Sequence, residues 1–529
     1  MALLDLDKLT LHIGAEPILK DLSLALEPGA SLALVGESAS GKSMTALSIL
    51  GLLPADAAAS GAVRFDGRDL LGLGEAELRR LRGREIGMVF QEPMTALDPL
   101  QTIGDQVGEP ARIHHGAGRR EAQALARAAL DRVGLADIGL ERYPHQLSGG
   151  QRQRAAIAMA ALLGPRLLIA DEPTTALDTI AQAEVLALLR RLSREDGAAL
   201  ILITHDLAVA AETVDAVALM HRGEIVETGP IREVLAAPRH PYAQALLAAS
   251  APARVRRQSR APASAEPPVL ELRDVSHDYA GRSGAVEGVS LAIRPGEAVG
   301  LVGASGAGKS TLLRLALGLA RPRSGEVLVD GASLPGARGA ELRRLRRRIQ
   351  AVFQDPNGSF DPRWRIERLV AEPLHLLEDR LGPKEIRRRV EHMLDQVGLS
   401  PADADRYPHA FSGGQRQRIA IARALILEPA LVALDEAVSA LDVTLRAQIL
   451  KLLAELSDRL GVAYLFVSHD LEVVRGVTDR VAVMQAGRVV EQGATEALFA
   501  APRHPHTAAL LAATPSLDRA RRQAPAASE

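Results

Sequence analysis

The feature of this 529-residue chain that most restricts its fold is an internal repeat. Lys42 and Lys309 lie 267 positions apart in two similar glycine-rich loops, and Ser148 and Ser412 lie 264 positions apart in two similar pentapeptides. Further short motifs recur in the same order in both halves. A repeated unit of about 240 residues is long enough to form a complete domain. The sequence therefore predicts two similar domains in tandem, over residues 1–250 and 269–515.

The segments outside the two repeats have the composition of unstructured chain. Residues 251–268, APARVRRQSRAPASAEPP, are rich in Pro, Ala, Ser and Arg and show neither helical nor strand periodicity. This composition predicts a flexible linker. Residues 516–529 have a similar composition, which predicts a disordered C-terminus.

Composition also excludes several classes of protein. The chain contains no cysteine, which excludes disulfides, thiolate zinc sites and iron–sulfur clusters. Its net charge of −2 provides no strong field for nucleic acid, so no nucleic-acid partner is expected. The first ten residues contain acids where a signal peptide carries bases, and no run of about 18 apolar residues occurs. We therefore expect a cytoplasmic type of protein without a signal peptide or a membrane-spanning helix.

Each repeat contains a loop of the form G-x-x-x-x-G-K-[ST], the Walker A pattern, whose backbone N–H groups can surround phosphates. The chain has 6 lysines against 57 arginines, and one lysine stands in each loop, where a compact charge can reach the outer phosphates. The sequence therefore predicts nucleoside triphosphate binding at two places. The predicted binding residues are Gly36, Glu37, Ser38, Ala39, Ser40, Gly41, Lys42 and Ser43 in the first repeat, and Gly303, Ala304, Ser305, Gly306, Ala307, Gly308, Lys309, Ser310 and Thr311 in the second.

Short apolar segments alternate with helical sequence in each repeat. SLALVG (residues 31–36) and AVGLVG (residues 298–303) lead into the glycine loops, and a helix is expected to begin at Lys42 and at Lys309. LLIADE, ALILITH, LVALDE and VAYLFVSH are further short apolar segments, each followed by helical sequence. This alternation predicts an α/β fold with a mainly parallel sheet and helices on both faces. The Ala- and Arg-rich segment between Gln91 and Ser148 predicts a helical subdomain.

Two acidic residues follow one strand of each repeat, Asp171 and Glu172 in the first and Asp435 and Glu436 in the second. An acid at the end of a buried parallel strand lies beside the phosphate loop. There the aspartate, together with Ser43 or Ser310, can hold Mg²⁺, and the glutamate can orient the attacking water. A solvated acidic turn is the alternative interpretation, and the glycine loop upstream in both repeats favours the catalytic one.

LSGGQ and FSGGQ form the most specific pair of motifs. Serine followed by two glycines at a helix start offers a hydroxyl and open amides to a γ-phosphate, although a single such pentapeptide is also a common helix cap. Two copies in the same frame favour phosphate binding. The pentapeptides consist of Ser148, Gly149, Gly150 and Gln151, and of Ser412, Gly413, Gly414 and Gln415, each after one apolar residue.

This order of motifs resembles that of the ATP-binding cassette (ABC) ATPases across nearly the whole chain. The resemblance implies two tandem P-loop NTPase cassettes, each with a β subdomain and a helical signature subdomain, that bind ATP and Mg²⁺. It implies that Gln91 and Gln354 contact Mg²⁺ and water and sense a transporter partner. It also implies that His205 and His469 contact the γ-phosphate.

In this family each signature reaches the ATP held by the opposite cassette. The resemblance therefore implies that the two cassettes of this one chain act as the dimer. One composite site would join Lys42, Ser43, Asp171, Glu172 and His205 to the Ser412 signature, and the other would join Lys309, Ser310, Asp435, Glu436 and His469 to the Ser148 signature. Because both sets of residues are intact, two hydrolytic sites are expected.

The two repeats differ where the family places an aromatic residue that stacks on adenine. Tyr279 lies 24 positions before the first glycine of its loop, and His12 occupies the same position in the first repeat. Because imidazole is the smaller ring, weaker adenine stacking is expected at the first site.

The end of each repeat indicates a narrower class. APRHPYAQALLAASAP (residues 237–252) and APRHPHTAALLAATP (residues 501–515) resemble the tails of ATPases from dipeptide, oligopeptide and glutathione importers, and the fused pair is most similar to glutathione and microcin C-type importers. This implies two polytopic membrane permeases and an extracytoplasmic substrate-binding protein as partners, at the cytoplasmic face of a bacterial inner membrane. A fused sugar-importer ATPase and a soluble twin-cassette translation factor are the alternatives. The first typically has altered catalytic residues in one cassette, and the second has a long charged linker.

Overall fold

The computed structural model describes residues 2–91, 96–175, 177–250, 266–279, 282–439, 441–517 and 519. The chain divides into two units, Met1–Ala251 together with Pro515–Glu529, and Pro252–Thr514. The predicted flexible linker falls, except for its last three residues, outside the described residues. None of the helices in the described ranges has the length and hydrophobicity that a membrane span requires.

A six-stranded sheet lies at the centre of the described part of the first unit. Its strands, in spatial order, are Glu224–Pro230, Ala216–His221, Ser31–Val35, Ala199–Thr204, Leu167–Asp171 and Ile86–Val89. The first pair is antiparallel and the others are parallel. The three central strands are buried at every residue, as expected for parallel strands that are covered on both faces.

A second, four-stranded sheet of the first unit is antiparallel. Its strands, in spatial order, are Glu16–Leu26, Leu4–Ile13, Ala57–Phe65 and Arg68–Asp69. Leu4 and Leu6 from this sheet share one hydrophobic cluster with Leu34, Ile169 and Ile201 from the central sheet. The phosphate loop therefore leaves a strand that is held between two layers.

Helices connect the strands of the first unit. The described α-helices are Lys42–Leu50, Glu75–Leu81, Ile103–Val107, Glu109–His115, Arg119–Arg132, Gly149–Ala161, Thr179–Asp196, Leu207–Thr213, Ile231–Ala236 and Pro241–Ser250, and Pro144–Gln146 is a 3₁₀ helix. Arg119–Arg132 packs on Ile103–Val107 and on Gly149–Ala161, which forms the predicted helical subdomain.

The second unit repeats this architecture strand for strand. Its central sheet has the order Arg488–Ala494, Arg480–Gln485, Ala298–Val302, Ala463–Val467, Leu431–Asp435 and Ile349–Val352, and its antiparallel sheet has the order Arg282–Ile293, Leu270–Tyr279, Ser324–Val329 and Ala332–Ser333. Again only the first pair of the central sheet is antiparallel. The predicted α/β fold, with two tandem cassettes and mainly parallel sheets, is confirmed.

The helices of the second unit occupy equivalent places in the chain. Its described α-helices are Lys309–Ala316, Gly339–Arg348, Pro356–Ser359, Ile366–Ala371, Pro383–Gln396, Gly413–Leu425, Val443–Leu460, Leu471–Val477, Thr495–Ala500 and Pro505–Ala513, and its 3₁₀ helices are Glu372–Leu376, Pro401–Asp405 and Pro408–Ala410. Helices begin at Lys42 and at Lys309, as the sequence predicts.

The last described residues of the chain lie against the first unit. The Ser516 N–H donates to Glu212 Oε1 at 3.2 Å, Arg519 pairs with the same carboxylate at 3.8 Å, and Leu517 is buried. This placement differs from the disorder that composition predicts for residues 516–529, because a buried apolar side chain and a half-buried carboxylate give these three residues specific contacts. Residues 518 and 520–529 lie outside the described part of the chain.

Candidate active site

Each phosphate loop joins a buried strand to a helix and requires glycine at the turn. Gly41 and Gly308 have φ values of 102° and 104°, in the region that side chains avoid. A Cβ atom on Gly41 would lie 2.6 Å from Leu19 Cδ2, and one on Gly308 would lie 2.5 Å from the Ala285 carbonyl oxygen. The glycine at this position therefore cannot be replaced without moving the loop.

The lysine of each loop is buried and held by main-chain oxygens. Lys42 Nζ donates to the carbonyls of Gly36 at 2.8 Å and Glu37 at 2.7 Å. Lys309 Nζ donates to the Gly303 carbonyl at 2.7 Å and to the carbonyl of the following alanine at 3.0 Å. Each ammonium is thus fixed inside its loop, where phosphate oxygens can take the place of the carbonyls.

In the first unit, two predicted site residues from distant parts of the chain contact a third, Glu172. Gln91 Nε2 donates to Glu172 Oε2 at 3.1 Å, and His205 Nδ1 lies 3.2 Å from the other carboxylate oxygen. Thr175, which the sequence analysis did not select, also donates its hydroxyl to Oε2 at 3.0 Å. The carboxylate is therefore oriented by contacts on both oxygens.

The second unit builds the same cluster around Glu436. Gln354 Nε2 donates to Glu436 Oε2 at 2.9 Å, and His469 Nδ1 lies 3.2 Å from Oε1. One contact differs, because the hydroxyl of Ser439 donates to the main-chain carbonyl of Glu436, at 2.9 Å, rather than to its carboxylate. The difference follows from the sequences DEPTT and DEAVS, which place threonine and serine at this position.

Both glutamates adopt a backbone conformation that is uncommon for a residue with a side chain. Glu172 has φ of 43° and Glu436 has φ of 46°. Each nevertheless continues the sheet, since its N–H donates to the neighbouring strand, to Ile203 or to Val467, at 2.9 Å. Glutamate has no preference for this conformation, so the sequence gives no sign of it. Such strain is found mainly at functional sites, where the surrounding structure enforces it.

The cluster keeps both glutamates ionised. Burial raises the pKa of Glu172, but hydrogen bonds from His205 and Thr175 and the charges of His205 and Lys42 outweigh burial and lower this pKa to about 2. The hydrogen bond from His469 lowers the pKa of Glu436 against the effect of burial. Burial lowers the pKa of His469, but Glu436 more than compensates and raises it. A charged carboxylate is the form that accepts a proton from water.

We expect the Glu436–His469 contact to stabilise the fold in a defined pH range. The pKa of His469 is raised above 6.5, and that of Glu436 is lowered below 4.5. The contact therefore stabilises the fold fully between pH 4.5 and pH 6.5. This stabilisation is lost as the pH rises through the raised pKa of His469. His469→Gln should therefore lower the melting temperature without nucleotide by about 2–4 °C near pH 5.5. The decrease should be smaller near pH 9, and calorimetric melts of the full chain at both pH values measure it. An equal decrease at both would contradict the ion pair.

Asp171 has the surroundings of a metal ligand. Its side chain is buried, and burial raises its pKa to about 6 against a hydrogen bond from Ser43. Asp171 Oδ1 is fully buried and has no hydrogen-bond partner among the described residues. Burial likewise raises the pKa of Asp435. A buried carboxylate oxygen without a partner, next to a serine hydroxyl, suits Mg²⁺, which takes few protein ligands and keeps the rest of its shell for water and phosphate.

No group of three or more His, Cys, Asp or Glu side chains in the described ranges is placed to hold a metal ion. Gln91 and Gln354, which are also predicted metal contacts, direct their amide nitrogens at the glutamates. Their amide oxygens are the atoms that suit a cation.

The signature serines cap their own helices. The Gln151 N–H donates to Ser148 Oγ at 3.3 Å, and the Ser148 N–H donates to Gln151 Oε1 at 2.9 Å. Ser412 and Gln415 make the same pair of bonds, at 3.4 and 3.0 Å. Both serines are exposed. Each pentapeptide therefore caps a helix and leaves its serine hydroxyl accessible to a ligand. Binding of ATP from the other cassette stays a prediction.

The two candidate adenine-stacking residues have different surroundings. Tyr279 is 41% exposed, and interactions of its hydroxyl with Thr311 and Arg314, on the helix that follows the phosphate loop, lower its pKa. The side chain of His12 is half-buried, on a strand position opposite Pro17. Tyr279 is therefore close to its phosphate loop, and adenine stacking stays a prediction for both residues.

Two phosphate loops, each next to an aspartate and a Gln–Glu–His cluster, define a tandem ATPase of the P-loop class. The ABC transporter family model matches residues 19–175 and 286–439, so the chain belongs to the ABC transporter family and is one of its ATPases. A second model, of the oligopeptide/dipeptide transporter C-terminal region, matches residues 226–281 and 490–529. These ranges contain both tails that the sequence analysis selected.

Two curated relatives support this assignment over nearly the whole chain. The chain is 44% identical to the glutathione import ATP-binding protein GsiA of Salmonella paratyphi A, over 95% of its own length and 87% of the relative's. It is 45% identical to GsiA of Escherichia coli K12, with the same coverage. A solved structure of cbiO1 from Clostridium perfringens, part of the ABC transporter complex cbiONQ, is 33% identical and covers 44% of this chain and 92% of that one, with a TM-score of 0.41.

Proposed function

We propose that this chain drives the import of small peptides, with glutathione as the first candidate, by hydrolysing ATP at two sites. The observation that carries the proposal is the occurrence of the same Gln–Glu–His cluster in both units. The similarity to GsiA and to the oligopeptide transporter tail supports the substrate class.

The residues of each site have separate roles in this proposal. Backbone N–H groups of the loop and the buried lysine bind the phosphates of ATP. Glu172 or Glu436 accepts a proton from the attacking water, and the neighbouring glutamine and histidine hold its carboxylate in place. Ser43 with Asp171, and Ser310 with Asp435, would hold Mg²⁺, which when bound neutralises the charge that develops on the phosphates.

The two units are proposed to act as a pair. Each nucleotide would be bound by the loop of one unit and the signature of the other, so ATP closes the pair and hydrolysis opens it. Two polytopic permeases would convert this movement into alternating access, and an extracytoplasmic binding protein would deliver the peptide. The chain would then be a peripheral protein on the cytoplasmic face of a bacterial inner membrane.

Reconstitution tests the proposed function. The chain is co-expressed with candidate peptide-importer permeases, purified, and placed in liposomes with a peptide-binding protein. ATP-dependent uptake of labelled glutathione or dipeptides is expected, and uptake of a labelled sugar is not. Sugar uptake, or co-sedimentation with ribosomes in place of co-purification with permeases, would support one of the alternative classes.

We also expect the two sites to differ in nucleotide affinity. Lys309→Ala leaves the first site functional and Lys42→Ala leaves the second, so each variant reports on one site. Because Tyr279 offers a larger ring than His12, ADP should bind the second site about two- to tenfold more tightly, the range that aromatic stacking produces. Calorimetric titration of both variants measures the ratio. Because other contacts also differ between the sites, Tyr279→His in the Lys42→Ala chain isolates the effect of the ring, and unchanged ADP affinity in that variant would contradict the role of the aromatic residue.

A further inference from the structure

The tail of the first unit contacts the phosphate loop through one side chain. The hydroxyl of Tyr242 accepts a hydrogen bond from the N–H of Glu37 at 3.1 Å, although the two residues lie 205 positions apart in the chain. Glu37 is the second residue of the loop, and Tyr242 is the last residue of the RHPY sequence that marks the tail. This sequence has no role in the mechanism described so far.

A set of local contacts fixes the position of Tyr242. The carboxylate of Glu227 accepts the N–H of Arg239 at 3.0 and 3.1 Å and the N–H of His240 at 2.9 Å. His240 Nδ1 accepts the N–H of Tyr242 at 3.1 Å. The ring of Tyr242 lies on the ring of His221, with centroids 4.2 Å apart. The hydroxyl is therefore presented by a side chain that is held at both ends, which reduces the entropy cost of its contact.

The peptide group that Tyr242 contacts also holds the catalytic lysine. The peptide between Gly36 and Glu37 donates its N–H to Tyr242, and its carbonyl accepts from Lys42 Nζ at 2.8 Å. A hydrogen bond at one end of a peptide group polarises the other end. We propose that Tyr242 is a positioning residue that orients this peptide, and with it Lys42, so that the tail sets the nucleotide affinity of the first site.

The second unit has the same local contacts but a different side chain at the tip. The carboxylate of Glu491 accepts the N–H groups of Arg503 at 2.9 Å and His504 at 3.0 Å. His504 Nδ1 in turn accepts the N–H of His506 at 3.2 Å. His506 occupies the position that Tyr242 has in the first unit. Gln485 occupies the position of His221. Imidazole carries no hydroxyl, so a contact made through a tyrosine hydroxyl belongs to the first site.

The test uses the full chain with Lys309→Ala, which disables the second site. It rests on the proposed function only in assuming that the first site of this variant still binds nucleotide. Tyr242→Phe keeps the ring on His221 and removes the hydroxyl alone. In the Lys309→Ala background this change should weaken Mg·ADP binding about three- to tenfold, the effect of losing one hydrogen bond. His506→Phe, the matched control, should leave this affinity unchanged, as should Tyr242→Phe in the Lys42→Ala background.

Two further measurements separate positioning from a general loss of stability. Without nucleotide, Tyr242→Phe should lower the melting temperature by no more than about 4 °C, the effect of losing about 1 kcal/mol in a unit of this size. In the otherwise unmodified chain, it should raise the KM for ATP and leave kcat unchanged, because Tyr242 contacts no reacting atom.

Unchanged Mg·ADP affinity in Tyr242→Phe would overturn the inference, and so would equal weakening at both sites. These results differ from a failure of the proposed function, in which the Lys309→Ala chain with Tyr242 intact would bind no nucleotide at all.

Discussion

Replacing both Glu172 and Glu436 with glutamine is expected to reduce ATP turnover at least about 100-fold, the lower range of what a general base contributes. The amide of glutamine has nearly the shape of the carboxylate but cannot accept a proton from water. Each single variant should keep roughly half of the total turnover, which comes from its other site, or less than half if the two sites are coupled. Steady-state phosphate release at saturating ATP measures all three variants.

Glu195→Gln provides a matched control, since it makes the same chemical change on an exposed residue near the end of the helix Thr179–Asp196. It should leave turnover unchanged. Binding of ATP should persist in the double variant, because Lys42 and Lys309 remain in their loops. Unchanged turnover in either single variant would show that the corresponding site does not hydrolyse ATP.

The features that the sequence predicts correctly depend on local pattern and on repetition. The short apolar segments before Lys42 and Asp171 form fully buried parallel strands because each is long enough for a strand and too short for a buried helix. The meeting of Gln91, Glu172 and His205 was implied by family resemblance, since no spacing rule brings together residues so far apart in the chain.

Other features depend on packing that a single sequence does not specify. Glu172 has a left-handed backbone while its N–H bonds to the adjacent strand, and glutamate has no intrinsic preference for this conformation. The contact between Tyr242 and Glu37 requires the tail to fold back beside the loop. The contact of Ser516 with Glu212 likewise overrides a composition that predicts disorder.

The proposed pairing of the two units leads to the second large effect, which concerns the signature serines. If each signature completes the site of the other unit, then Lys42 and Ser412 serve one site, and Lys309 and Ser148 serve the other. Arginine at either serine would fill the space of the γ-phosphate. It would also remove a helix cap, which should lower the free energy of unfolding by about 1 kcal/mol in either unit. Two combinations with Lys42→Ala therefore differ only in which site they affect.

In the background of both glutamate-to-glutamine changes, each site should trap ATP, which can be counted after gel filtration with labelled nucleotide. Lys42→Ala with Ser412→Arg should still trap ATP at one site, because both changes affect the same site and their effects do not add. Lys42→Ala with Ser148→Arg should trap none, because each site then lacks one essential group. The opposite pattern would mean that each unit uses its own signature. In that case the movement of one unit against the other would have no direct link to the γ-phosphate, and the proposed coupling of hydrolysis to transport would fail with it.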